Sequence, residues 1–329
     1  MGKRDIIVIG SSAGGVYALR DLVAALPADL PAALFIVQHV SADTPSRLPD
    51  ILNFSGKLRA SHPTDGQPIQ RGCIYVAPPD HHLLIEHEHM LVKRGPKENR
   101  FRPSIDALFR SAAYTYGPRV IGVVLTGALD DGTSGMWSVK RLGGVSVIQQ
   151  PEEALYPSMP ESVRQHVPVD HIVSLAQLAP LLVKLVQEDA GERPALPDEE
   201  KARMSLEVKA TEKDRTVDMD IMEIGTLSRL TCPECHGTLV SIQEGSTVRY
   251  RCHTGHGFTA NALLSGVRQS VEDSLWNAIR ALEETIMLLE QADKALENEA
   301  NAALMEEYQA KIQQAREQLA LIRPLVMSS

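Results

Sequence analysis

The residues best suited to chemistry in this chain are a serine, a histidine and an aspartate, each placed just after a short apolar run. Ser12 lies in Gly10-Ser11-Ser12-Ala13-Gly14, a G-x-S-x-G match that directly follows Ile6-Ile7-Val8-Ile9. A sharp strand-to-helix turn needs small residues, and it sets a hydroxyl at a helix N-terminus where unpaired N–H groups point outward. Those groups can stabilise an oxyanion, and the Ala13 N–H is a candidate donor. The same glycine-rich turn also suits a nucleotide phosphate. The second apolar run, Leu34-Phe35-Ile36-Val37, weighs against that use: a dinucleotide site wants a carboxylate near its end, and Gln38-His39 stand there instead. His39 fits a general base. Asp131 follows the run 120–125 and can orient the imidazole, although an aspartate there equally complements the dipole of a following helix.

A second constellation lies far downstream. Cys232 and Cys235 are two residues apart, and Cys252 and His256 follow after a hairpin-sized interval. Two thiolates, then a cysteine and a histidine, can surround one tetrahedral Zn²⁺. With all four positions filled by protein the metal would be structural, stapling a segment too poor in apolar residues to fold unaided. His253 abuts Cys252 and reaches the same ion poorly, and His236 is a weaker substitute. A redox cysteine pair is the alternative. The patch His81, His82, His87 and His89 reads as solvated hairpin residues.

Strand-like and helix-like segments alternate over residues 1–187, which predicts an α/β fold: a doubly wound, mostly parallel sheet. Three short runs at 73–77, 83–85 and 90–92 read as an antiparallel hairpin element. Ser104 reads as the N-cap of a helix to Tyr116, with Asp106 in its first turn. Residues 188–225 are charged and read as a linker, in part helical. A zinc-ribbon-like module follows over 226–262. Residues 263–329 read as a helical hairpin or coiled coil. Its first seam is Leu275, Ile279, Leu282, Ile286 and Leu289; its second is Leu304, Tyr308, Ile312, Ala315, Leu319 and Ile322, with a break at Asn298–Asn301.

The catalytic stretch resembles the chemotaxis protein-glutamate methylesterases, the CheB family. The shared motifs are IGSSAGG at 9–15, IVQHV at 36–40, YVAPPDHHL at 75–83, NRFRPSID at 99–106 and VVLTGALDDGTSGM at 123–136. The resemblance implies Ser12 as nucleophile, His39 as base and Asp131 as its orienting carboxylate. It implies hydrolysis of glutamate methyl esters, with glutamine deamidation by the same acyl chemistry. It adds the Ala128 backbone as a second oxyanion donor, Arg100 and Arg102 as cations facing an acidic receptor helix, and Met159 on an active-site-edge loop. Leu129 stands where the family commonly has glycine. The implied partners are a methylated receptor or signalling protein as substrate and a separate receiver or methyltransferase. The family's N-terminal receiver domain is not expected before this catalytic strand.

Composition sets outer limits. A net charge of −9 argues against a general nucleic-acid binder. No apolar run reaches the length of a membrane span, and the N-terminus lacks signal-peptide features. Four cysteines, three of them clustered, suit a metal site in a reducing cytoplasm. A homodimer through the C-terminal helices is a further expectation. Two rival functions stand beside the esterase: a catalytically weak regulatory protein that binds receptor helices, and a nucleotide-binding sensor.

Overall fold

The structure, a computed structural model, describes residues 2–212, 221–296 and 302–327. It contains two compact units, Met1–Leu263 and Leu264–Ser329. In the first, the opening elements are β1 (Ile6–Ser11), α1 (Gly15–Ala25), β2 (Ala33–Gln38), α2 (Leu48–Ser55), β3 (Arg59–Ser61), β4 (Gln67–Pro68) and β5 (Cys73–Val76). Next come β6 (His82–Glu86), β7 (His89–Lys93), α3 (Ile105–Tyr116), β8 (Val120–Val124), α4 (Thr133–Arg141) and β9 (Val145–Gln149). Then follow α5 (Ser158–His166), β10 (His171–Val173), α6 (Leu175–Leu185), α7 (Asp198–Glu212), β11 (Thr226–Thr231), β12 (Thr238–Glu244), β13 (Thr247–Cys252) and β14 (Gly257–Thr259).

Seven strands form one sheet in the order β10-β9-β8-β1-β2-β5-β3, and every neighbouring pair is parallel. The apolar runs are continuous because both faces are covered. Ile7 and Ile9 enter one core with α1, α2 and α6; Ile6 and Val8 enter the other with α3, α4 and α5. Strand order reverses at β1, with β2 on one side and β8 on the other. A crevice at the carboxyl ends of the strands at such a reversal is where open α/β sheets place their chemistry.

One expectation needs correction. The run 73–77, expected in the antiparallel hairpin element, forms β5 inside the parallel sheet between β2 and β3. A short apolar run carries no directional signal, and only the burial of Ile74 and Val76 on one face and Tyr75 on the other reveals its place. The antiparallel element is β4-β7-β6. Residues 198–212 form α7, which sends Met204 into the second core. The strands β11-β12-β13-β14 make a separate antiparallel sheet.

The second unit holds most of α8 (Ala260–Leu296) and α9 (Ala302–Met327), a helical hairpin. Ile279, Ile312 and Ala315 are buried, and Leu275, Leu282, Ile286, Leu289, Leu304, Tyr308, Leu319 and Ile322 are half-buried. Arg316 bonds Glu290 at 2.8 Å, and Arg323 pairs with Glu283, across the two helices. The break expected at Asn298–Asn301 lies outside the described residues.

Candidate active site

Ser12 is the first residue beyond β1, His39 the first beyond β2, and Asp131 lies near the end of the loop between β8 and α4. The sheet therefore delivers all three to the same edge. His39 Nδ1 lies 3.2 Å from Ser12 Oγ, and His39 Nε2 lies 2.8 Å from Asp131 Oδ2. The imidazole thus faces the hydroxyl with Nδ1 and the carboxylate with Nε2, the reverse of the arrangement in chymotrypsin-like proteases. With the proton on Nε2, donation to Asp131 leaves the Nδ1 lone pair toward the hydroxyl. Phe101 stacks on the ring, 3.9 Å between centroids and 10° between planes, and fixes its tilt.

Each member is held from behind. The Ser12 amide donates to the Thr126 carbonyl at 3.0 Å, which ties the serine turn to the β8 loop. Gly127 packs so close that an added Cβ would sit 2.9 Å from Ser12 Cβ and 2.1 Å from Met159 Sδ. Gln38 clamps the ends of β1 and β2. Its Oε1 accepts from Ser11 Oγ at 2.7 Å, and its Nε2 donates to the carbonyls of Ser12 and His39 at 2.8 and 2.9 Å.

Asp131 is buried and saturated. Oδ2 accepts from His39 and from the Ile105 amide at 2.8 Å. Oδ1 accepts from Asn99 Nδ2 (2.9 Å), Ser104 Oγ (3.0 Å), Gly132 N (3.1 Å) and Asp106 N (3.2 Å). Burial alone would raise this carboxyl; the His39 hydrogen bond and charge, helped by the Ile105 amide and Asn99, outweigh it and hold the group below the usual carboxylate range. Ser104 occupies the N-cap position of α3, yet its hydroxyl makes no cap bond. Asp131 takes the α3 amides instead, and Asp106 of α3 accepts from Gly132 and Gly135 at the start of α4 at 2.9 and 2.6 Å. The two helices therefore cap one another, and burial with the nearby Asp131 charge pushes the Asp106 carboxyl well up.

The remaining expected residues divide. Among the described residues the amides of Ala13 and Ala128 donate to no protein acceptor, and Ala128 is exposed. Leu129 adopts φ +63°, a left-handed conformation in which glycine is at ease and leucine is not. Arg102 is not a free cation: it donates twice to Asp80 Oδ1, at 2.9 and 2.6 Å, and once to the Gly95 carbonyl at 2.7 Å. Arg100 is half-exposed at φ +72°. Met159 is fully buried behind Gly127, and so packs against the turn that carries Ser12. Leu155 and Tyr156 are exposed beside Gly14 and Gly127, an apolar rim that single-residue reading does not single out.

His82 corrects the solvated-hairpin reading of its patch. It is fully buried, receives the Ser104 amide on Nδ1 at 3.3 Å and faces the Pro96 carbonyl with Nε2 at 2.9 Å. Burial pushes it down to about 4, so it stays neutral while bracing the 96–104 loop.

The ligand atoms of Cys232, Cys235, Cys252 and His256 all lie within 4.8 Å of one another. Cys235 Sγ to Cys252 Sγ is 3.6 Å, and His256 Nδ1 lies 3.7 and 3.6 Å from Cys232 and Cys252 Sγ. A tetrahedron about zinc, with Zn–S near 2.3 Å and Zn–N near 2.0 Å, has edges of roughly 3.5–3.8 Å. The four side chains fit such an ion, and His236 and His253 are exposed outside the cluster.

A parallel sheet with Ser, His and Asp gathered at its reversal point defines a serine-hydrolase class of site. The chain belongs to the CheB methylesterase family, whose profile matches residues 7–182. A Leptospira interrogans relative, named for protein-glutamate methylesterase and protein-glutamine glutaminase activity, is 37% identical over 57% of this chain and 98% of its own. A Methanosarcina mazei protein-glutamate methylesterase/protein-glutamine glutaminase is 34% identical over 56% of this chain and 52% of its own. The Thermotoga maritima CheB methylesterase catalytic domain superposes with a TM-score of 0.54 at 32% identity, over 56% of this chain and all of that domain. None of these three similarities extends over more than 57% of the chain.

Proposed function

We propose that this protein hydrolyses glutamate methyl esters on a receptor or signalling protein, with Ser12, His39 and Asp131 as its catalytic residues. The observation that carries the reading is His39 bridging Ser12 Oγ and Asp131 Oδ2 at the carboxyl ends of β1, β2 and β8. His39 Nδ1 takes the hydroxyl proton as Ser12 Oγ attacks the ester carbonyl. Asp131, kept ionised by its donors, stabilises the imidazolium. The developing oxyanion is met by the N–H groups of Ala13 and Ala128. The imidazolium then protonates the leaving methanol, and water hydrolyses the glutamyl-enzyme by the same relay in reverse. Glutamine side chains, attacked in the same way, lose ammonia.

The Leu155 and Tyr156 rim, with Arg100, offers the surface for the substrate helix. Cys232, Cys235, Cys252 and His256 hold a structural Zn²⁺ that supplies fold stability and takes no part in the ester chemistry. The exposed apolar residues Trp276, Met287 and Leu288 support self-association of the helical hairpin. A cytoplasmic setting, with a separate receiver or methyltransferase partner, accords with the clustered thiols; no described helix is long and apolar enough to cross a membrane.

A fluorophosphonate probe should label the wild type and leave Ser12→Ala unlabelled, and methylated receptor fragments should release methanol only with the wild type. Equal labelling of both proteins, or of neither, would rule out Ser12 as the nucleophile.

A further inference from the structure

The metal-ligand module reaches the catalytic constellation through Thr259 and Asn99. Cys252 ends β13, and His256 immediately precedes β14. The next residue, Gly257, accepts from the Asn99 amide at 2.7 Å and donates to the Lys97 carbonyl at 3.2 Å, so β14 is bridged to the 97–99 segment. Two residues on, the Thr259 amide donates to Asn99 Oδ1 at 2.8 Å. Asn99 Nδ2 in turn donates to Asp131 Oδ1 at 2.9 Å and to Asp106 Oδ2 at 2.7 Å. Thr259 Oγ1 donates to Asp130 Oδ1 at 2.8 Å and accepts from the Ala262 amide at 3.1 Å.

We propose that this module is a working part of the active site: Asn99 and Thr259 are positioning residues that orient Asp131, and a metal held by Cys232, Cys235, Cys252 and His256 fixes them. The proposal rests on the hydrolytic reading of Ser12, His39 and Asp131. An asparagine amide has an acceptor end and a donor end. The Thr259 N–H occupies the acceptor end, which compels the donor end to face two adjacent buried carboxylates. Without that N–H the amide is free to turn and present its oxygen to the Asp131 carboxylate, repelling Asp131 from the orientation that meets His39. The backbone at Asn99 is itself left-handed, at φ +51°, a conformation asparagine accepts more readily than most residues. The Cys252–His256 loop sets where β14 begins. Metal coordination at both its ends therefore fixes the Gly257 bridge and the Thr259 N–H.

The test uses the full chain and three measurements. Asn99→Gly keeps the backbone conformation and deletes both side-chain links, so kcat should fall about 10–100-fold while KM changes by less than about twofold. The acid limb of the pH profile should move down, because a carboxylate that has lost its orienting donor and turned from His39 holds the imidazolium less tightly. Thr259→Ser should behave as wild type, and Thr259→Val should lose about tenfold in kcat. In the third measurement zinc is withdrawn with a chelator and amide exchange is followed. The Thr259, Ile105 and Asp106 amides should lose protection together and regain it with added zinc, while β1 stays protected.

Unchanged kcat and pH profile in Asn99→Gly would overturn the proposal, as would a freely exchanging Thr259 beside fully protected Ile105 and Asp106. A wild type that neither hydrolyses esters nor takes the fluorophosphonate would sink the esterase reading, and the exchange measurement would still decide the coupling.

Discussion

The donors around Asp131 make a sharp prediction for one substitution. Four groups bond Oδ1, so an asparagine at 131 must place its oxygen there and turn its NH₂ toward His39 Nε2. Nε2 would then accept, the ring proton would move to Nδ1, and Nδ1 would no longer take the Ser12 proton. Asp131→Asn should lose about 10³–10⁴-fold in kcat, and more than Asp131→Ala, in methanol-release assays. Gly127→Ala should cost about 1–3 kcal/mol of stability by thermal unfolding, because Ser12 Cβ is too near to yield as Met159 can. Much of this scale was legible in the sequence. Ser12, His39 and Asp131 each follow an apolar run, and that position alone predicts the shared edge. Asn99, Phe101 and Gln38 were not legible as site residues. All three lie inside the shared motifs at 36–40 and 99–106, but their roles are contacts across 32, 62 and 26 residues of chain with Asp131, His39 and Ser12, which no local pattern spells out.

At the scale of elements, α7 and β13 meet the catalytic layer through buried charge. Arg251 pairs with Glu98 at 2.6 Å, and Arg249 with Glu207 and Glu244 at 2.8 and 2.9 Å. Arg110 of α3 joins Glu98 at 3.0 Å. Three guanidinium groups face three carboxylates, all at most 2% exposed, so the charges balance. Removing one partner strands another; Arg251→Met should destabilise the first unit by about 3–5 kcal/mol in denaturant unfolding. Burial alone would raise Glu207, but Arg249, Arg110 and Arg251 pull it down to about 2, and Arg110, Arg251 and Arg249 likewise hold Glu98 well below its usual range. Folded-state values below the unfolded one mean that this stability is complete above about pH 4.5 and drains as pH falls toward 2. Unfolding temperatures recorded down that range should show the loss in wild type and far less of it in Glu207→Gln. No local pattern announces this network. A charged stretch with two prolines reads as a linker, in part helical, and only a tertiary partner makes Glu207 an interior residue.

Across the whole molecule, the α/β layering, the four-ligand cluster and the helical seams follow from patterns that repeat within short windows, which is why they could be read in advance. The mutual placement of the catalytic layer and the β11–β14 sheet depends on the Gly257 bridge and the ion cluster, which have no such pattern. Elemental analysis should find about one zinc per chain, lost in Cys232→Ser. A chain ending a few residues after Leu263 should keep its esterase turnover, whereas one ending at residue 225 should lose it, because Glu98 and Asn99 would be stripped of Arg251 and Thr259.

The start of the chain is pinned beside the exit of the catalytic layer. Gly2 accepts from the Ala190 amide at 2.8 Å, and Arg4 binds Glu188 at 2.7 Å. Both precede the foot of β1, a strand about 20 Å long whose other end leads into Ser12. A fluorescent protein or affinity handle fused ahead of Gly2 would hang from the far side of the sheet, leaving the serine accessible.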